Sequence, residues 1–130
     1  MIGKGNAQVS DVVWHRLGAE TEIGDGQMAE GQMTVHAIGG WQVLLARHDD
    51  AWVALNDRCT HAASRLSGGR IRRGAIMCPL HGARFDLADG RCIGGAYPAV
   101  RQFALRVVDG MVEVAVPARP PGMDETPVEV

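Results

Sequence analysis

The chain has 130 residues, 46% of them hydrophobic and 22% charged, with a formal net charge of −2. That length suits one domain with a modest core, and the apolar fraction excludes an intrinsically disordered chain. No apolar run approaches the ~20 residues of a membrane-spanning helix, and the opening Met1-Ile2-Gly3-Lys4-Gly5-Asn6 lacks the apolar centre of a secretory signal, so a cytoplasmic protein with no membrane partner is expected.

Short runs with near period-two alternation or β-branched enrichment predict strands over Val12–Leu17, Met33–Ile38, Trp41–Arg47, Ala51–Leu55, Ala75–Met77, Arg84–Asp86, Gln102–Val108 and Met111–Val116. Turn residues separate them: Gly24-Asp25-Gly26, Gly39-Gly40, Gly68-Gly69, Asp89-Gly90, Gly94-Gly95 and Asp109-Gly110. Gly39-Gly40 and Asp109-Gly110 each lie between two alternating runs and signal hairpins. No segment carries a three-turn amphipathic helix. Many short strands with regular turns predict an all-β protein, a sandwich or barrel. One domain is expected over residues 1–116. Residues 117–130, with four prolines, three acids and no aromatic residue, are expected to form an extended or disordered tail.

The chemistry is concentrated in Cys59-Thr60-His61, followed after sixteen residues by Cys78-Pro79-Leu80-His81-Gly82. Two Cys and two His in two short clusters point to a metal site; thiolates suit zinc or iron–sulfur chemistry, and imidazole is compatible with both. In zinc fingers like ligands cluster together, whereas here each cluster supplies one Cys and one His. That mixed pairing suits a two-iron centre with Cys59 and Cys78 on one iron and His61 and His81 on the other. A mononuclear zinc site remains the alternative.

The four residues and their spacing resemble the Rieske family, whose pattern is C-x-H, fifteen to seventeen residues, then C-x-x-H. The likeness continues through Gly82, Phe85-Asp86 and Asp89-Gly90 and extends more weakly over about Val12 to Val116. The resemblance implies an all-β Rieske fold: an antiparallel β-sandwich or barrel base with a small cluster-binding subdomain at about 57–98. It also implies one [2Fe–2S] cluster per chain on Cys59, His61, Cys78 and His81. The small ferredoxins of bacterial aromatic-ring-hydroxylating dioxygenases are the nearest likeness. A protein of that kind is no enzyme by itself: it carries single electrons from a flavin-dependent NAD(P)H ferredoxin reductase to a terminal oxygenase. A small subunit like that of nitrite reductases is the second reading.

Two neutral ligands in place of two thiolates leave an oxidised cluster of formal charge 0 rather than −2, which eases reduction. High-potential members of the family add a disulfide between the ligand loops and hydroxyl donors after the second His. Ser64 and Leu80 stand at the disulfide positions, and Ala83 and Phe85 at the donor positions, which predicts a potential at the low end of the Rieske range.

The remaining candidates are weaker. Gly94-Gly95-Ala96-Tyr97-Pro98 matches, loosely, the proline loop that covers the cluster in this family. From Asp57 to Cys92 seven arginines stand against three aspartates, a local charge of +4 that leaves −6 for the rest of the chain. Arg65, Arg70, Arg72 and Arg73 are candidates for a docking collar, weighed against ordinary solvated arginines. Nucleic acid is disfavoured as a partner, because no recognition helix or aromatic platform accompanies the arginines. Cys92 matches no ligand position and is expected to be a passive thiol. His15, His36 and His48 are expected to be structural or surface residues, and Trp14, Trp41 and Trp52 to pack in the core or at its edge.

Overall fold

The computed structural model describes residues 11–23, 29, 31–80 and 82–128; the Gly24-Asp25-Gly26 turn and His81 lie outside them. Among the described residues nine strands run β1 (Val12–Ala19), β2 (Met33–Ile38), β3 (Trp41–His48), β4 (Ala51–Asn56), β5 (Arg70–Arg72), β6 (Ala75–Met77), β7 (Arg84–Asp86), β8 (Ala104–Val108) and β9 (Met111–Pro117). They form three antiparallel three-stranded sheets, ordered β1-β9-β8, β2-β3-β4 and β5-β6-β7. The fold is all-β, as the alternation predicts.

Tight turns set the register. The pairs Gly39-Gly40, Asp49-Asp50, Arg73-Gly74 and Asp109-Gly110 all have positive φ at both positions. That is the two-residue turn whose twist matches the flanking strands. β5 is the strand that the sequence reading left out. It is three residues long and Arg-Ile-Arg in sequence, and its existence follows from the Arg73-Gly74 turn and from pairing with β6.

β3 holds the molecule together. Val43, Leu44, Leu45 and Ala46 are all fully buried, so both faces of this strand are covered, which explains its nearly continuous apolar run. On one face Trp41, Val43 and Leu45 meet Phe103, Val112, Val114 and Val116 of the β1-β9-β8 side, closing the base of the fold. On the other, Leu44, Ala46 and Leu55 pack with Leu66, Ile76, Phe85, Leu87 and Val100, and with Cys59, Cys78 and Cys92. The second core is the floor on which the ligand loops sit.

The C-terminal segment, expected to be extended or disordered, keeps largely extended backbone and packs against the fold. After β9 it folds back over the molecule and makes one 3-10 turn at Met123–Glu125. Trp41 Nε1–H donates to Arg119 O at 3.0 Å, Asn56 Nδ2–H to Glu125 O at 3.0 Å, Arg58 Nε–H to Thr126 O at 3.2 Å, and Val128 N–H to Ala63 O at 2.8 Å. A Pro-rich composition excludes helix and sheet interior, but it does not prevent extended backbone from pairing with side chains and loop carbonyls.

Trp41 is wholly buried, edge-on to Phe103 at 5.5 Å, and is a core residue as expected. Trp14 lies at the sheet surface under the Arg106 guanidinium, 3.9 Å from the ring centre. Trp52 donates to Glu20 Oε1 at 3.0 Å. His36 is held by Thr34, its Nε2 being 2.9 Å from the hydroxyl, and burial lowers its pKa.

Candidate metal centre

The first ligand loop leaves the end of β4 through Asp57, whose carboxylate is fully buried. That carboxylate accepts from Ser67 N–H at 2.7 Å, from Ser67 Oγ–H at 2.7 Å and from Arg65 Nη1 at 3.1 Å. A buried charge is tolerable only when paired and hydrogen-bonded in this way. Asp57 thereby ties the start of the loop to residues 65–67 at its far side. The sequence reading used Asp57 only as a charge, because nothing in its neighbours signals burial. Arg65, proposed there for a docking collar, is committed to this internal pair and also reaches Gln42 Oε1 at 3.3 Å.

The second ligand loop connects β6 to β7. Its base is fixed by Gly69, at the mouth of β5, whose backbone lies so close to the Met77 carbonyl that a Cβ there would collide with it. Glycine is required at that point by close approach.

Cys59 and Cys78 are both buried, at 0% and 1% exposure, in one core cluster. Burial pushes the Cys59 thiol pKa up and the neighbouring Cys78 raises it further, while backbone N–H groups of Ala62 and His61 oppose the rise. Two thiolates placed here would repel each other in a dry site, and a positive centre between them removes that cost. His61 is exposed; its backbone N–H lies 3.4 Å from Cys59 Sγ, and its ring stacks on Tyr97 with 4.1 Å between centres and 15° between planes. The Gly94–Pro98 loop is laid against this first loop, since Thr60 Oγ1–H also donates to Pro98 O at 2.6 Å. Among the described residues no three His, Cys, Asp or Glu side chains converge on one point. The structure thus brings together Cys59 and Cys78, holds His61 beside them on the outside, and leaves His81 undescribed.

Cys92 is buried at 8% exposure, with its thiol 3.7 Å from the Ile93 carbonyl. It lies in the shared core beneath the loops. Ser64 is a residue that the sequence reading placed only as a missing cysteine: its Oγ lies 3.3 Å from Cys78 Sγ.

A small all-β protein with two loops that converge a buried pair of sulfur donors below an exposed imidazole is built as a metal-cluster protein, and the donor set fits iron and sulfide. Residues 14–112 match the Rieske [2Fe-2S] domain family, and the chain belongs to that family, whose members hold one [2Fe–2S] cluster per chain. It is 35% identical over 105 residues to the ferredoxin subunit of anthranilate 1,2-dioxygenase from Burkholderia cepacia, covering 79% of this chain and 92% of that one. Among solved structures it resembles the ferredoxin of carbazole 1,9a-dioxygenase from Nocardioides aromaticivorans IC177, with TM-score 0.64 and 26% identity over 76% of this chain and 95% of that one. It also resembles a protein described as a putative NADH-dependent nitrite reductase small subunit from Mycobacterium tuberculosis, with TM-score 0.67 and 25% identity over 81% of this chain and 96% of that one.

Proposed function

We propose that Cys59, His61, Cys78 and His81 hold the [2Fe–2S] cluster, and that the chain is the ferredoxin component of a Rieske oxygenase system. In that role it takes electrons from an NAD(P)H-dependent flavin reductase and delivers them to a terminal oxygenase in the cytoplasm. The observation that carries this reading is that Cys59 and Cys78, each supplied by a separate loop, are buried in one core cluster, with Ser64 of the first loop reaching across to Cys78 Sγ at 3.3 Å. When bound, the cluster supplies a site that accepts and returns one electron at a time.

The chain's own residues do the rest. Leu44, Leu55, Leu66, Ile76 and Phe85 line the core that excludes water from the sulfur side. Asp57 and Gly69 hold the loops at fixed separation. Tyr97 braces the His61 ring, which stays exposed toward a partner. Together these groups enclose the sulfur side and leave one imidazole exposed, an arrangement that suits transfer of electrons. Ala83 and Phe85 offer no hydroxyl and Ser64 and Leu80 no disulfide, which supports a low potential.

Purified protein should be red-brown, contain about two irons and two acid-labile sulfides per chain, and show a Rieske EPR signal only after reduction by dithionite. Stoichiometric zinc, or no metal, refutes the reading. The fold likeness to the nitrite reductase small subunit favours one alternative, a resident subunit of a larger reductase. Reduction by a ferredoxin reductase and re-oxidation by a Rieske oxygenase, with no nitrite-dependent oxidation, separates the two.

A further inference from the structure

The two ligand loops are built on one backbone plan. In the first, Cys59 N–H donates to Ser64 O at 2.8 Å and Ala63 N–H donates to Cys59 O at 2.8 Å; in the second, Cys78 N–H donates to Ala83 O at 2.7 Å and Gly82 N–H donates to Cys78 O at 3.1 Å. The residue four past each cysteine is left-handed, Ala63 at φ 61° and Gly82 at φ 74°. Ser64 and Ala83 are therefore equivalent positions in two copies of one turn, and of the two only Ser64 carries a hydroxyl. That hydroxyl crosses to the other loop and lies 3.3 Å from Cys78 Sγ, in a residue only 4% exposed.

We propose that Ser64 tunes the redox potential of the centre by donating its hydroxyl hydrogen to Cys78 Sγ. The inference rests on the reading of Cys78 as a cluster ligand. A ligating sulfur is a thiolate with no proton to give, so in the loaded protein the hydroxyl has to be the donor. Hydrogen bonds to ligand sulfurs are among the terms that set iron–sulfur potentials. Reduction adds negative charge to the cluster and its sulfurs, and a charge-assisted bond to sulfur strengthens as that charge grows. The donor therefore stabilises the reduced form more than the oxidised form and raises the midpoint. In a buried site, water cannot substitute for the lost donor, so the effect is not screened away.

The hydroxyl is also held in place. Ser64 O is fixed by Cys59 N–H, and the preceding Ala63 O is fixed by Val128 N–H of the C-terminal segment.

The test is a redox titration of the loaded protein, with iron content and visible circular dichroism recorded for each variant. Ser64→Ala and Ser64→Gly should keep the cluster and titrate lower, with the reduced fraction at a fixed potential falling about tenfold, which is ~59 mV for one electron. Ser64→Thr keeps a hydroxyl and should stay near the wild-type midpoint. Thr34→Val, which removes a hydroxyl that bonds His36 rather than sulfur, should leave the midpoint unchanged. In unmodified protein the iron–thiolate stretching bands should shift on exchange into D2O. Fully loaded Ser64→Ala or Ser64→Gly with a wild-type midpoint overturns the proposal and leaves the cluster assignment standing. Bands unmoved by D2O overturn it however the variants fold. Wild-type protein that binds no iron removes both.

Discussion

Asp57 and the cysteines show what single side chains contribute. The Asp57 carboxylate has no exposure and is bound by Arg65 and twice by Ser67. Asp57→Ala strands the Arg65 guanidinium and the Ser67 amide at the root of the first ligand loop, and should cost roughly 3 kcal/mol in denaturant unfolding. It should also speed the loss of cluster absorbance on standing. The cysteines divide by position. Cys92→Ala removes a small buried group away from the converging thiols and should keep full iron content, whereas Cys59→Ala or Cys78→Ala should lose it. Iron and sulfide analysis of the three proteins checks this. With His81 as a ligand, as proposed, His81→Cys replaces a neutral donor with an anion, so that variant should assemble some cluster with a lower midpoint; an unchanged midpoint would break the charge argument. The candidate donors could be picked out in the sequence because residue identity and spacing carry the chemistry. Asp57 and Ser64 could not, since their roles come from burial and from a contact between loops that sequence spacing does not encode.

At the level of elements, the strands were legible wherever alternation ran for five or more residues between turn residues. Met33–Ile38, Ala75–Met77 and Arg84–Asp86 have the bounds the pattern predicts, and β3, β4 and β9 run one residue further than expected. β5, no shorter than β6 or β7, escaped because it exists through pairing with β6 across the Arg73-Gly74 turn, which its own three residues do not signal. The C-terminal segment escaped because its order comes from long-range partners and one carboxylate hub. Glu125 accepts from Arg119 at 2.8 and 2.9 Å, from Arg101 at 3.1 Å and from Gly122 N–H at 2.9 Å. Arg119 is the main cause of its pKa falling to about 2 from the usual 4.5. A depressed carboxylate stabilises the fold fully above the unfolded value and loses that contribution as pH falls from about 4.5 toward about 2. Glu125→Gln should therefore lower stability by about 1–2 kcal/mol, and the deficit should be constant across pH 5–8. Thermal melts of both proteins over that range check it; a deficit that changed between pH 5 and 8 would show that another group is responsible.

For the whole molecule, charge separates what packing joins. The stretch from Asp57 to Cys92 is +4 and the remainder −6, yet both share β3 as a common wall. With Arg65 taken up by Asp57, the exposed positive face is narrower than the sequence suggested. Arg70 and Arg72 border a groove with Cys78, Pro79 and Gly82 of the second ligand loop, and Arg72, Arg73 and Arg84 border the one beside it. None of these four forms an ion pair with a described residue. The asymmetry was legible in the sequence, whereas which arginines stay available for a partner depends on the fold. Free guanidinium groups beside a ligand loop orient an acidic partner surface toward the centre, and such steering weakens as salt shortens the Debye length from about 10 Å at 0.1 M to about 3 Å at 1 M. The second-order rate of reduction by the reductase, or of oxidation by the oxygenase, should fall about tenfold or more over that range. The double variant Arg72→Glu, Arg84→Glu should be slow at low salt and nearly insensitive to it, with its midpoint unchanged. Stopped-flow rates that ignore salt in the wild-type protein would show that these arginines are ordinary solvated surface with no part in docking.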